Sequence, residues 1–460
     1  MLIRKKMKRK YNRNTMEIHR NSIVFRCISI AFLRCFIFRI SCFLLSYYPA
    51  TCLYAQTSKV VLDNGFTLIH QEKKVGLISC ILFVKGGAAI ETDKEAGITN
   101  DMLQVLTKGT ISRTSEKIAN DTEMLGATIS AGCSNDFSEV SMIVPANNFI
   151  SAFDIFADVV NNPTFPEKEF EKEKTKTIAA MKSKSDHIFS VAYDYFNELI
   201  FKNHSYHMPI EGYEATVSSF TASQISDNYR KHFKMDNMVL CVAGDISFET
   251  AKKLVEKYFG NIKIIGTTEV GATSVAQLIS KPSKKTYTGK FQQSYIFSGF
   301  LAPDINQKEY ATVKVVNCVL GGGMGSRLFD ALREKSGLVY EGDSFYPSRK
   351  ETSDFVLYAG TSKENVVTVE KIFIDEIIKL SEITDDQLKN AKEYLKGTYL
   401  LDHRTIQRQC WYLGWWETMG KGYEYDQKYL EDIDKVSISD IKVACEKYFN
   451  PKEITTVILK

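Results

Sequence analysis

Few side chains in this chain combine the type and the spacing that chemistry needs. Asn100 and Gln104 stand four apart, which puts both amides on one face of a helix. Amides are weak metal ligands, and Leu103 beside them cannot accept a proton. His204-Ser205-Tyr206-His207 has an H-x-x-H spacing, but in a loop, where solvated or hydrogen-bonded imidazoles are the default. His70, His187, His232 and His403 are isolated. Gly321-Gly322-Gly323-Met324-Gly325 is glycine-rich like a phosphate loop, yet no Gly-Lys-Ser/Thr follows, so a nucleotide site is weakly supported. Cys80, Cys133, Cys241, Cys318, Cys410 and Cys445 are scattered singly, without a C-x-x-C, and Cys80, Cys241 and Cys318 lie in apolar runs that predict buried thiols. No Ser/His or Cys/His arrangement for nucleophilic catalysis is evident. Leu332-Arg333-Glu334-Lys335-Ser336-Gly337-Leu338-Val339-Tyr340 holds an arginine and a tyrosine seven apart. A guanidinium fork binds carbonyl oxygens, and a preplaced hydroxyl stabilises developing negative charge.

The elements that must position these residues read as an α+β chain. Val60-Val61-Leu62 and Phe66 to Ile69 flank Asp63-Asn64-Gly65, a hairpin signal. Val75 to Lys85 predicts a buried strand, and strands span roughly 127–144 and 238–243. Helices are predicted over about 95–106, 115–125, 149–160, 167–184, 188–200, 223–232 and 248–259. The chain then repeats itself. The segment from Ser218, SSFTASQISDNYRKHFKMDNMVLCVAGD, matches DKVSISDIKVACEKYFNPKEITTVILK from Asp434. Upstream, the strand, turn, acidic spacer and helix before Gly109 have a counterpart before Gly321, and the helix near Glu167 matches Asp385 to Lys396. Two homologous domains result, residues 57–265 and 286–460, each a mainly antiparallel sheet covered by helices, joined by a polar linker at 266–285.

Charge separates the first residues from the rest. Residues 1–56 carry 11 Lys/Arg against Glu17 alone, so the net charge of +4 conceals a body of −6. A mildly acidic body gives no reason to expect nucleic acid. Residues 1–55 read as a leader: a basic stretch, an apolar stretch at Ile40 to Tyr48, and Leu53-Tyr54-Ala55 as a cleavage site. A signal peptide for export to a bacterial periplasm is the preferred reading. An Arg-rich mitochondrial presequence also fits, and an uncleaved leader would be the chain's only membrane contact. Arg26, Arg34 and Arg39 make a poor spanning helix.

Gly97-Ile98-Thr99-Asn100-Asp101-Met102-Leu103-Gln104-Val105-Leu106-Thr107-Lys108-Gly109-Thr110 resembles the zinc-binding helix of the insulinase/pitrilysin (inverzincin) peptidases, G-x-x-H-x-x-E-H-x-x-x-K-G-T. Gly97, Lys108, Gly109 and Thr110 keep the frame. The resemblance puts Asn100 and Gln104 in the places of the two zinc-binding histidines and Leu103 in that of the general base. It puts Ala180, seven after Glu173, in that of the distal glutamate ligand. Gly321 to Tyr346 resembles the family's second-domain signature. There the resemblance implies that Arg333 holds substrate backbone, Tyr340 donates to the oxyanion, and Gly321, Gly322 and Gly323 line the peptide chamber. Ile129 to Ser134 corresponds to the family's edge strand, onto which an extended peptide can add. The alternative for Tyr340 is a helix end capped by Gly337 that leads into a strand whose tyrosine packs in the core. Short two-domain members pair as clamshells, including pairs with one zinc-free subunit. The resemblance therefore implies a chain without its own cofactor, paired with a homologous H-x-x-E-H subunit that carries the zinc, acting on unfolded peptides. A peptidase-derived structural or peptide-binding protein is the alternative.

Overall fold

Asp63-Asn64-Gly65 turns the chain between β1 (Thr57–Val61) and β2 (Thr67–Glu72), which pair antiparallel. Gly65 sits at φ +82°, a conformation that costs glycine little. This computed structural model describes residues 57–262 and 282–460; the leader and residues 266–281 of the linker segment lie outside them. The first half continues with β3 (Leu77–Lys85), α1 (Ile98–Leu106), α2 (Ser115–Met124), β4 (Thr128–Cys133) and β5 (Phe137–Pro145). Then come α3 (Phe149–Asn161), α4 (Glu167–Lys184), α5 (Ile188–Ile200), α6 (Glu214–Ser219), α7 (Ala222–His232), β6 (Met238–Gly244) and α8 (Phe248–Val255). The sheet runs β1-β2-β6-β3-β5-β4, antiparallel except for β2 with β6.

The second half holds β7 (Lys284–Tyr287), β8 (Ser294–Ala302), α9 (Tyr310–Gly321), α10 (Arg327–Phe329, continuing as a π turn Asp330–Glu334), β9 (Val339–Phe345) and β10 (Ser353–Thr361). It ends with α11 (Val366–Ile378), α12 (Asp385–Asp402), α13 (Ile406–Thr418), α14 (Tyr425–Lys435), α15 (Ile438–Tyr448) and β11 (Thr455–Leu459). The order β7-β11-β8-β10-β9, with only β7 and β11 parallel, repeats β2-β6-β3-β5-β4 of the first sheet. The repeat extends to detail. Helices α4 and α12 are both 18 residues long. Helices α7 and α15 both start with a capping box, Thr221 with Gln224 and Ser437 with Asp440. The α+β reading with two homologous sheets holds.

Three local differences have physical causes. Helix α6 is too short and polar to register as a period. The helix from Phe248 loosens at Glu256 into a π turn, Glu256–Gly260, instead of running to Phe259 as α-helix. Strand β7 begins at Lys284, inside the segment read as linker; its Lys-Lys-Thr-Tyr has no apolar alternation, and its register comes from β11.

A larger difference lies in which helices cover which sheet. Each half lends the other a helix. Helix α5 packs on β8 and β11, with Ala192, Phe196 and Ile200 in one apolar cluster with Phe297, Val356, Val457 and Leu459. Helix α13 packs reciprocally on β3 and β6. There Gly414 lies so close that a Cβ would sit 2.4 Å from the Phe83 ring, and Trp411 Nε1 donates to Glu139 at 2.9 Å. Both faces of β3 are therefore covered, which explains its unbroken run of buried residues from Ile78 to Val84. Cys80, Cys241, Cys318 and Cys410 are buried thiols. Among the described residues no helix is long and apolar enough to cross a membrane.

Candidate functional site

Helix α1 starts from a tightly built N-terminus. Gly97 at φ +95° lies against the Gly212 turn, where a Cβ would meet the Glu211 carbonyl at 2.4 Å. The carboxylate of Glu91 accepts from Gly97 N and Thr99 N, each at 2.8 Å, and so satisfies two of the helix's free amides. Burial raises its pKa to about 7 against the lowering effect of those bonds. This acid, six residues before Gly97, was not singled out from sequence; a carboxylate just ahead of a glycine-started helix was the available signal.

On α1 itself, Leu103 is 1 % exposed and belongs to the first half's core with Leu106, Phe153 and Phe156. Asn100 is half-buried, Gln104 is exposed, and Ala180 on α4 is exposed. Neither the Asn100 nor the Gln104 amide makes a side-chain hydrogen bond among the described residues. The groups that do join α1 to α4 are others. Asp101 is buried, accepts from Thr177 Oγ1 at 3.1 Å, and its second oxygen has no partner. Burial raises its pKa to about 6. Glu173, buried, pairs with Lys176 Nζ at 2.8 Å and Lys108 Nζ at 3.7 Å. Asp101 was the one acid in the apolar stretch of α1, a signal the sequence offered and the reading passed over.

In the second half, Ser326 Oγ caps α10 by accepting from Phe329 N at 3.3 Å. The helical segment ends as its residues predict. Gly337 at φ +59° donates to the Arg333 carbonyl and Leu338 N to that of Leu332, each at 3.0 Å. The chain then enters β9, the outer strand of its sheet, paired on one side by β10. Val339 is 9 % exposed and Tyr340 81 %, so the tyrosine does not pack in the core; strand alternation turns it outward. Arg333 is also exposed. Its Nη1 donates to the Tyr340 carbonyl at 3.5 Å, and its guanidinium lies 5.4 Å from the Phe329 ring centre. The structure thus brings Arg333 and Tyr340 together on one surface. Behind them, Tyr295 OH donates to Glu341 and anchors the strand from its inner face.

The glycine run divides. A Cβ on Gly321 would fall 2.0 Å from Asp343 Oδ1 and 2.5 Å from Ser344 N, so this glycine lets α9 approach β9. Gly322 is held similarly against the Cys318 carbonyl, 2.3 Å from a Cβ. Gly323, at φ +81°, lies beside Tyr394, and beyond it Met324 is 82 % exposed. Strand β4 mirrors β9 as the outer strand of its own sheet, with one edge of backbone groups unpaired by strand. His204 and His207 are hydrogen-bonded residues. His204 Nε2 meets Glu351 at 2.7 Å and its Nδ1 accepts from Tyr206 N, while His207 Nδ1 donates to the His204 carbonyl at 2.8 Å.

A chain of two repeated sheets, with an outward Tyr340 on one outer strand beside Arg333 of the helical turn before it, and the frame of a metal helix on the other half, defines a peptidase-like architecture. Insulinase (Peptidase family M16) matches residues 67–213, and Peptidase M16 inactive domain matches residues 219–395. The chain is 28 % identical over 345 residues to the uncharacterized zinc protease YmxG of Bacillus subtilis, covering 75 % of this chain and 81 % of that protein. It is 26 % identical over 412 residues to an uncharacterized zinc protease of Rickettsia felis, covering 86 % and 96 %. A protease from Helicobacter pylori superposes with TM-score 0.82 at 18 % identity, over 88 % of this chain and all of that one. The peptidase M16 inactive domain from Pseudomonas fluorescens gives 0.78 at 20 %, over 88 % and 97 %. The chain belongs to the insulinase (M16) peptidase family, in its short two-domain form.

Zinc, which the family implies, does not fit the residues present. Of the four places, one is a methyl group, one is a leucine built into the core, and two are amides. The nearby carboxylates, Asp101 and Glu173, are engaged with Thr177 and with two lysines. Among the described residues no group of three or more His, Cys, Asp or Glu could hold a metal ion.

Proposed function

We propose that this chain is the non-catalytic, zinc-less subunit of a heterodimeric zinc endopeptidase. A homologous H-x-x-E-H subunit carries the metal, and this chain supplies Arg333 and Tyr340 in trans. The observation that carries the reading is Tyr340. It is the second residue of an outer strand, its side chain is 81 % exposed, and the arginine seven residues earlier lies alongside it. The exposed Tyr340 phenol makes no hydrogen bond among the described residues, while α1 offers no group that activates water. Both facts are explained by a site shared between two chains.

In that site the Arg333 guanidinium binds carbonyl oxygens of an extended, unfolded peptide. The Tyr340 phenol donates to the oxygen that becomes negative as the scissile carbonyl is attacked, an interaction stronger in the transition state than in the ground state. The open edge of β4 offers backbone groups for strand addition. The leader reading makes the compartment a bacterial periplasm, with a mitochondrion as the other address an Arg-rich leader would serve.

The test is to tag the protein in its own cells, purify it gently, and identify what co-purifies by mass spectrometry. A stoichiometric chain with an intact H-x-x-E-H is expected. A homodimer alone, or a membrane complex lacking such a chain, would overturn the reading in favour of a structural or peptide-binding role.

A further inference from the structure

The exchanged helices pack on the inner strands β3, β6, β8 and β11, whereas the outer strands β4 and β9 are tied across the halves at their turns. The β4–β5 turn holds Asp136, 8 % exposed, and the β9–β10 loop holds Arg349, 5 % exposed. Arg349 Nε donates to Asp354 Oδ1 at 3.0 Å within its own hairpin, and its Nη2 reaches across to Tyr193 OH on α5 at 3.3 Å. The guanidinium also stacks over two rings of the first half, 5.0 Å from Phe201 and 4.8 Å from Tyr206. Tyr206 OH donates in turn to Asp136, which also accepts from Lys350 N at 3.1 Å. Burial opposes the charge on Arg349, but Asp354 and the adjoining phenols hold its pKa above the usual value. A cavity of about 320 Å³ lies against this seam, lined by residues of both halves. Here directional bonds to a buried cation add to the apolar packing that joins the halves.

We propose that Arg349 is a positioning residue: through its seam with Tyr193, Tyr206 and Asp136 it holds β9, and so Tyr340, at a fixed distance from β4. The proposal rests on the reading of Tyr340 as a group offered in trans. Arg349 lies nine residues after Tyr340, at the far end of the same hairpin. A partner seated against this chain meets Tyr340 at the angle the seam sets. Loosening the seam would leave substrate contacts available but misplace the phenol relative to the scissile carbonyl.

Two readouts test this. Nitroxide pairs on Thr128→Cys and Ser336→Cys, in a background with Cys133, Cys445 and the leader's Cys27, Cys35, Cys42 and Cys52 changed to Ser, report the distance between β4 and the turn that leads into β9 in the full chain. One narrow distribution is expected, broadening in Arg349→Met and in the milder Tyr206→Phe, which carries the test if the arginine variant fails to fold. In the reconstituted complex, kcat in the same variants should fall about 10- to 100-fold with KM unchanged, and Arg349→Lys should lie between. A distribution that stays narrow in folded variants overturns the proposal. A broadened distribution with unchanged kcat overturns the role toward Tyr340. If the complex shows no peptidase activity at all, the proposed function has failed, and the distance distribution alone decides whether the seam holds β9.

Discussion

Thr177 on α4 donates to the buried carboxylate of Asp101 on α1 at 3.1 Å, joining the two helices that would otherwise converge on a metal. The bond satisfies one oxygen and leaves the other buried without a partner. Desolvation then outweighs the hydrogen bond and raises the Asp101 pKa from 3.8 to about 6. An acid whose folded pKa lies above its unfolded one binds its proton more tightly in the folded state. Its contribution is therefore most favourable below pH 3.8 and is lost as the pH rises toward about 6. Asp101→Asn should remove that loss. Between pH 4 and 7 the stability of the native protein should fall, relative to the variant, by up to about 2–3 kcal/mol. Urea unfolding of both proteins at several pH values measures the difference, and parallel pH profiles would show that Asp101 is already ionised and solvated.

Leu103 makes a second case. At 1 % exposure it is a core residue, so restoring the family's acid there alone places an unpaired carboxylate among Leu106, Phe153 and Phe156. Leu103→Glu should cost about 3–5 kcal/mol at neutral pH, less at low pH where the acid is neutral. Denaturant midpoints at pH 7 and pH 5 check both the size and the sign. A variant as stable as the native chain would mean that α1 can rotate to offer this position to the chamber.

Much of this was legible in the sequence because it depends on local pattern. The Asp63-Asn64-Gly65 turn, the 18-residue α4 and the turn at Gly337 follow from side-chain types within a few residues of each other. Arg333 and Tyr340 were singled out by the resemblance to the insulinase peptidases, and the short turn and one strand step between them keep them adjacent. The exchange of α5 and α13 was not. The apolar residues of these helices do not say which of two similar sheets they will cover. Arg349 was equally hidden, because its partners Tyr193 and Tyr206 lie more than a hundred residues away and no period or motif connects them.

Tyr340 offers the cleanest separation of function from stability. Its side chain is 81 % exposed, so Tyr340→Phe should leave stability within about 0.5 kcal/mol. If the phenol donates to an oxyanion in the assembled peptidase, the same change should lower kcat by about 100- to 1,000-fold with KM little changed. Arg333→Ala should instead raise KM, because the guanidinium holds substrate backbone in ground and transition states alike. Steady-state kinetics on a quenched peptide with the reconstituted pair distinguish the two. Equal turnover by the Tyr340→Phe complex would remove the transition-state role.

The exchanged helices predict how the chain comes apart. Each sheet loses the cover of one face if the other half unfolds, because α13 closes β3 and β6 while α5 closes β8 and β11. The two halves should therefore unfold together, in one urea transition seen alike by tryptophan fluorescence and far-ultraviolet circular dichroism. Gly414→Ala tests the coupling at one point. A Cβ there would lie 2.4 Å from the Phe83 ring and 3.2 Å from the Cys241 side chain, and the strand beneath cannot retreat without disturbing its own partners. The variant should lose about 1–3 kcal/mol, the range for overpacking a filled core. The loss should move the whole transition, since a helix of the second half is being pushed off the sheet of the first. Two separate transitions, with only one shifted in Gly414→Ala, would mean that each half folds by itself and that the exchanged helices dock afterwards.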